Sequence, residues 1–341
     1  MRHVVKLAAL LMAVPAFLPA LSLAGAPELV EAIQKGETDF NFRLRYEDAN
    51  QSGIQDRGAQ ALTLRSRLAF ETKRYELFSA FIEIDDVKAI PDDENYNSGS
   101  NGQLDDVSIL DPEGTEVNQV WLAYDVANTL IKYGRQEYSL VNERLMGGDS
   151  WRQNEQTFSG ISIQNESLNL TRIHMAQFNR VESIFDPSSS GAKSDLDAKL
   201  LSVEYRGFLV SKLSLYALWL NNYQGQSQRE NKTYGVRLSG EAGDEFSINY
   251  ALEYANQEDA GGNFLNYSAS YSLYEMEFGY QQFGLKFGQE VLGADGDAFF
   301  ITPLASQHDF QGSTDQFLNG GLGNIAGGIK DRYVELGFSC S

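Results

Sequence analysis

The sequence predicts an all-β protein, a transmembrane antiparallel up-and-down β-barrel, and three observations predict it. Long segments alternate strictly between apolar and polar side chains. No apolar stretch of about 18 residues, the length a membrane helix needs, follows residue 26. The links between the alternating segments are themselves alternately short and long, as in barrels with tight periplasmic turns and extended outer loops.

The alternation is clearest at Asp39-Phe-Asn-Phe-Arg-Leu-Arg-Tyr-Glu47. A period of two puts Phe40, Phe42, Leu44 and Tyr46 on one face of a sheet and Asn41, Arg43, Arg45 and Glu47 on the other. Leu62, Leu64, Leu68 and Phe70 oppose Thr63, Arg65 and Arg67 in the same way, and Phe246, Ile248, Tyr250, Leu252 and Tyr254 oppose Ser247, Asn249 and Glu253. Tyr234, Val236 and Leu238 face away from Thr233 and Arg237. Soluble sandwiches also alternate, but charges in mid-strand suit the wet interior of a wide channel better than a packed core.

Read in order, about 14 strands emerge: 38–48, 60–73, 75–87, 115–124, 129–138, 156–163, 168–179, 196–206, 211–221, 232–241, 244–256, 267–281, 284–292 and 330–338. The short links are Arg74, 125–128, 164–167, 207–210, 242–243 and 282–283; the links of the other parity are all longer, from 49–59 to 293–329. Which face is apolar is ambiguous at 129–138, 168–179 and 211–221.

Arg2, His3 and Lys6 precede an apolar run, Leu7 to Phe17, with small residues at Ser22, Ala24 and Ala26. This reads as a secretory signal peptide over 1–24, cut after Ala24 and leaving 25–341 as the barrel. A cut after Ala26 would put Pro27 at the following position, which is disfavoured. The net charge of −20, from 27 basic and 47 acidic residues, grows more negative once Arg2 and Lys6 are removed. Nucleic acid is therefore not an expected partner. The lone Cys340 allows neither an internal disulfide nor a cysteine metal site.

Catalysis lacks a constellation. His174 and His308 are the only histidines beyond the leader, and neither has a marked nucleophile nearby. Gly-x-Ser-x-Gly, His-Glu-x-x-His and phosphate-loop motifs are missing, and no cofactor or metal is expected. What the strands offer is a row of arginines. Arg43 and Arg45 on the first strand neighbour Arg65 and Arg67 on the second, close enough to form one basic patch on a lumen wall. Arg237 could add to it from across the barrel, while Glu47, Glu83, Asp85 and Glu253 share the polar face. Two readings stay open for the row: a guide for anionic solutes, since arginine forks bind carboxylates, or a salt-bridge lattice that stiffens the wall.

Two loops stand out. Loop 91–114 is the most acidic segment, with Asp92, Asp93, Glu94, Asp105, Asp106, Asp111 and Glu113, and reads as a solvated outer loop without the spacing of a calcium loop. Loop 139–155 carries paired glycines and Trp151-Arg152, which suits a constriction folded into the barrel mouth or a plain exterior loop.

The chain resembles the alginate-export family of outer-membrane barrels at Phe42-Arg-Leu-Arg-Tyr-Glu47, Asp111-Pro-Glu-Gly-Thr-Glu-Val-Asn-Gln119, Gly134-Arg-Gln136, Trp151-Arg-Gln-Asn-Glu-Gln-Thr-Phe158, Thr233-Tyr-Gly-Val-Arg-Leu-Ser-Gly240, Glu290-Val-Leu-Gly293 and Thr302-Pro-Leu-Ala305. The resemblance implies a monomer in outer-membrane lipid and lipopolysaccharide, with an arginine-rich pore passing anionic polysaccharide or small polar solutes. It also implies a barrel of about 18 strands, more than the sequence shows, and the ending at Leu336-Gly-Phe-Ser-Cys-Ser341 reads as an early stop. The expected function is a passive outer-membrane channel and not an enzyme. The alternatives are a surface-display or adhesion barrel with ligand-binding outer loops and, less favoured, an outer-membrane lipase.

Overall fold

The computed structural model describes residues 27–51, 58–90, 95–148, 150–186, 189, 191–311 and 321–339. The expected leader at 1–24, the acids Asp92, Asp93 and Glu94, and Cys340 lie outside the described residues.

A short helix, α1 (Pro27–Gln34), precedes β1 (Glu37–Ala49), β2 (Ala59–Glu71), β3 (Phe78–Ala89), β4 (Gly114–Val126), β5 (Thr129–Gln136), β6 (Thr157–Asn165), β7 (Thr171–Glu182), β8 (Lys193–Phe208) and β9 (Ser211–Asn221). Then come β10 (Asn231–Ala242), β11 (Phe246–Asp259), β12 (Ser268–Tyr280), β13 (Phe283–Leu292), the two-residue strands β14 (Ala294–Asp295) and β15 (Ala298–Phe299), and β16 (Ile329–Phe338). Strands β1 to β13 and β16 form one 14-stranded sheet in sequence order, and every neighbouring pair is antiparallel. This is the up-and-down meander that the links anticipated. Among the described residues no ladder joins β1 to β16, so both edges keep unpaired backbone groups.

Two local features differ from the expectation. The link after β2 is a true turn and not Arg74 alone, because Tyr75 and Phe78 exchange backbone hydrogen bonds of 2.8 and 2.9 Å, with Glu76 at φ 53°. The helix α1 was not anticipated; it packs on this turn, and the Lys73 amide donates to the Ala32 carbonyl at 2.9 Å. Elsewhere the turns are tight as expected. Ala127 and Asn128 at φ 48° and 59° give the β4–β5 hairpin the backbone twist that matches its strands.

The two faces of the sheet differ as the alternation requires. Phe40, Phe42, Leu44 and Tyr46 are 53–67% exposed on the outside of β1, whereas Arg45 and Arg65 are buried on the inside. A band of exposed aromatic and aliphatic side chains has no purpose in water but matches hydrocarbon. Leu252 stands on this band in the middle of β11, and Asn249 points inward. Leu252→Arg is expected to cost about 2–4 kcal/mol in lipid, while Asn249→Arg is tolerated. Equilibrium unfolding from vesicles checks this.

The interior is not empty. The described parts of loop 137–156, between β5 and β6, and of loop 293–328, between β13 and β16, fold inward and join. Met146 and Leu304 form a parallel bridge, and Gly147 donates to the Leu304 carbonyl at 2.9 Å. Leu140, Leu145 and Met146 of the first loop and Phe300 and Leu304 of the second pack with Phe158, Phe178, Leu200, Leu218, Leu220 and Tyr271 of the wall. This core explains why the facing of 168–179 and 211–221 was ambiguous: their inner positions are apolar too, because they meet protein and not water. Loop 90–113 also turns partly inward, burying Tyr96, Val107, Ile109 and Asp111. The reading of that loop as wholly solvated is corrected here.

Candidate functional site

The register of β1 on β2 places Arg43 directly opposite Arg65, with Asn41 opposite Arg67. Two further rungs follow from β3, where Asp85 faces Arg67 and Glu83 faces Ala69. The four arginines therefore do form one patch on the inner wall, joined by Glu83 and Asp85. Arg237 does not join it. It lies on β10 opposite Glu253 of β11, and the two form a part-buried ion pair at 2.5 Å. Glu253 also accepts from Tyr216 Oη at 2.6 Å and Asn142 Nδ2 at 3.2 Å.

The row holds the second half of loop 137–156 against β1 and β2. Arg43 donates to three loop carbonyls, those of Ser150 (2.8 Å), Trp151 (2.8 Å) and Arg152 (3.1 Å). Arg45 donates to the Trp151 carbonyl, pairs with Glu47 at 2.6 Å and Asp111 at 3.4 Å, and lies 4.3 Å from the Trp151 ring centroid. Arg65 reaches the Gln153 carbonyl (3.2 Å), Glu155 (3.3 Å) and Asn41 Oδ1 (3.1 Å). Arg67 grips both oxygens of Asp85 at 2.7 Å and pairs with Glu155 at 3.0 Å and Glu83 at 3.6 Å. Glu83 is held in turn by Asn118 (2.8 Å) and Gln119 (3.1 Å). A loop inside a barrel has no ladder to satisfy its carbonyls, and guanidinium groups with five donors each are suited to do so.

The tip of this loop meets the other inward loop. Trp151 stacks on His308 with centroids 3.9 Å apart and planes 7° from parallel, and Arg152 pairs with Glu47 at 3.2 Å. Loop 139–155 thus lies against the inner faces of β1 and β2 and not outside the sheet. His174 lies on β7, and His308 is a stacking partner.

The charge balance across the row is decisive. Arg45, Arg65 and Arg67 each have carboxylate partners, whereas Arg43 has no carboxylate within ion-pair distance among the described residues. Its acceptors are neutral, and it is only partly buried. Carboxylate pairing thus accounts for three of the four arginines, and among the described residues Arg43 is the one of the four without an ion pair of its own.

Five residues that hold the site were not singled out from the sequence: Asp111, Arg144, Gln153, Glu155 and Glu290. Gln153 Nε2 donates to Thr63 Oγ1 at 2.8 Å and its amide to Asp111 at 2.9 Å. Four of the five lie in the stretches that carry the family resemblance, which was the available signal. Asp111 is fully buried, and burial pushes its carboxyl above the ordinary range, against the pull of Arg45, the Gln153 amide and Arg152. A raised value means that the folded state holds the proton more tightly than the unfolded chain, so stability from this group is present at low pH and lost as pH rises through its folded value. Asp111→Asn, which keeps the shape and the acceptor of the Gln153 amide, is expected to cost less than Asp111→Ala, which leaves that amide unpaired at about 1–3 kcal/mol. Urea titration of the folded barrel at neutral pH measures both.

The sequence matches the alginate export family over residues 36–285, a description of transport and not of catalysis. A search of curated proteins finds no match. Among solved structures, OccD3 (OpdP) of Pseudomonas aeruginosa superposes with TM-score 0.57 at 13% identity, covering 77% of this chain and 58% of its own. OccK9 (OpdG) of the same organism gives 0.62 at 16%, covering 80% and 73%. OccK2 (OpdF), solved in complex with glucuronate, gives 0.57 at 14%, covering 78% and 67%. At these identities the likeness is one of fold, and this chain spans somewhat over half the length of OccD3. With the family match, the lipid-facing band and the meander, the chain belongs to the alginate export family of bacterial outer-membrane β-barrels.

Proposed function

We propose that the protein is a passive channel for anionic sugars of the alginate type or for small polar solutes, working as a monomer among outer-membrane lipid and lipopolysaccharide. The observation that carries this reading is Arg43, a lumen-facing guanidinium whose partners among the described residues are loop carbonyls and no carboxylate. A carboxylate is a stronger acceptor than a neutral carbonyl and can take both prongs of the fork. A passing uronate can therefore engage Arg43 without first breaking an ion pair. Arg45, Arg65 and Arg67 support this role by fixing the loop that narrows the path. The wall of β9–β13 below, with Lys212, Arg237, Glu275, Glu277 and Lys286 around a recess of about 600 Å³, supplies a polar continuation. The complex of OccK2 with glucuronate gives a uronate precedent on this fold. The test is block of single-channel current by uronate oligomers. Arg43→Gln is expected to abolish most of the block while the protein remains folded; undiminished block would contradict the assignment.

A further inference from the structure

Loop 137–156 is held from two separate parts of the wall by contacts of opposite sign. Its second half is stitched to the arginines of β1 and β2. Its first half reaches β11 and β13, where wall carboxylates receive it: Asn142 donates to Glu253, and Arg144 Nε lies 2.8 Å from Glu290 Oε1. Arg144 is 0% and Glu290 3% exposed. The other oxygen of Glu290 accepts from Gln311 Nε2 of loop 293–328 at 2.9 Å. Arg144 touches that second loop as well, with Nη1 3.5 Å from Thr302 Oγ1 and the guanidinium 4.5 Å from the Phe310 ring centroid. One wall carboxylate thus fixes both loops that fill the interior.

We propose that Glu290, through its ion pair with Arg144, is the positioning residue that sets the aperture of the channel; this rests on the channel reading above. Neither side chain is open to the path, so neither selects solutes directly. An apolar anchor could hold the loop as firmly but would let it slide. A buried ion pair confines it to one place, because each charge is tolerated only beside the other. Arg144 Nη2 already has no hydrogen-bond partner among the described residues. Without the Glu290 charge the guanidinium would be stranded in a dry site, and the first half of the loop would leave the wall to hydrate it. The arginine row would keep the second half in place, so the constriction would widen and not collapse. Loop 293–328 would loosen at the same time through Gln311, taking His308 off the face of Trp151.

The test uses the full chain with Trp121→Phe and Trp219→Phe, which leaves Trp151 as the only tryptophan of three. Unitary conductance in planar bilayers and acrylamide quenching of Trp151 are read for the parent, Glu290→Gln, Arg144→Met, Arg144→Lys and the exchanged pair Arg144→Glu/Glu290→Arg. Glu290→Gln and Arg144→Met are expected to raise conductance about two-fold or more, as a wider pore must, and to increase quenching. Arg144→Lys, which keeps the charge but not the fork, should shift both readings less, and the exchanged pair should return both toward the parent. Parent values of conductance and quenching in Glu290→Gln and Arg144→Met would overturn the proposal. So would parent values in Arg144→Lys if the other two fail to fold. A parent that carries no current would contradict the channel reading instead, while the quenching still decides whether Glu290 positions the loops.

Discussion

Arg67→Gln is expected to destabilise the barrel by about 3–5 kcal/mol, the effect of removing one partner from a buried ionic cluster. Among the described residues Arg67 is the only cation that touches Glu83, Asp85 and Glu155 together, and the Asp85 side chain is 1% exposed. The loss leaves charges facing one another across β3 and the loop, with Asp85 left without a cation within ion-pair distance among the described residues. Part of the strain is relieved by Arg65, which also reaches Glu155. Arg65→Gln should therefore cost less. Denaturation of the folded, heat-modifiable form measures the difference. If Arg67→Gln and Arg43→Gln prove equally mild, the distinction between the carboxylate-paired arginines and Arg43 is wrong.

Phe178→Ala should be comparably severe, at about 3–5 kcal/mol. Phe178 is fully buried on the inner face of β7, with Tyr138 at 5.1 Å and Phe158 at 5.4 Å between ring centroids. Leu201, on the outer face of β8 and 38% exposed to the surroundings, is the control. In a hollow barrel the order would reverse, because lipid-facing side chains would then be the main apolar contribution and an inner Phe would face water. Thermal unfolding of Phe178→Ala and Leu201→Ala, compared in the same detergent, separates a packed interior from a hollow one.

These two residues also mark what could and could not be read from the sequence. Strand positions were legible because the outer face must be apolar everywhere, so Phe40, Phe42, Leu44 and Tyr46 fix their own strand and its parity. Each of the 14 expected strands overlaps an observed one, and β9 coincides with the expected 211–221. Facing was illegible at β7 and β9 because Phe178, Leu218 and Leu220 pack on loops folded in from far along the chain, and periodicity carries no information about such loops. The arginine patch was legible since adjacent strands of a meander must pair, which brings Arg43 beside Arg65. That Arg237 would pair with Glu253 and not face the row depended on register, which alternation alone does not set. Asp111 looked like one more acid in an acidic loop. Only the inward turn of that loop, driven by Tyr96, Val107 and Ile109, makes it a buried partner of Arg45.

The partition of the arginines also bears on selectivity. Charges beyond about 10 Å are screened at physiological salt, so the acidic outer loops weigh less on a permeating ion than the wall beside it. Beside the inward loop three of the four arginines contact carboxylates, and we propose that Arg43, which contacts none among the described residues, sets the sign. The most direct test is the reversal potential of the full chain in a potassium chloride gradient, before and after Arg43→Gln. A preference for chloride that disappears in Arg43→Gln is the predicted result; a preference for potassium, or a chloride preference untouched by the substitution, would contradict an arginine-guided anion path.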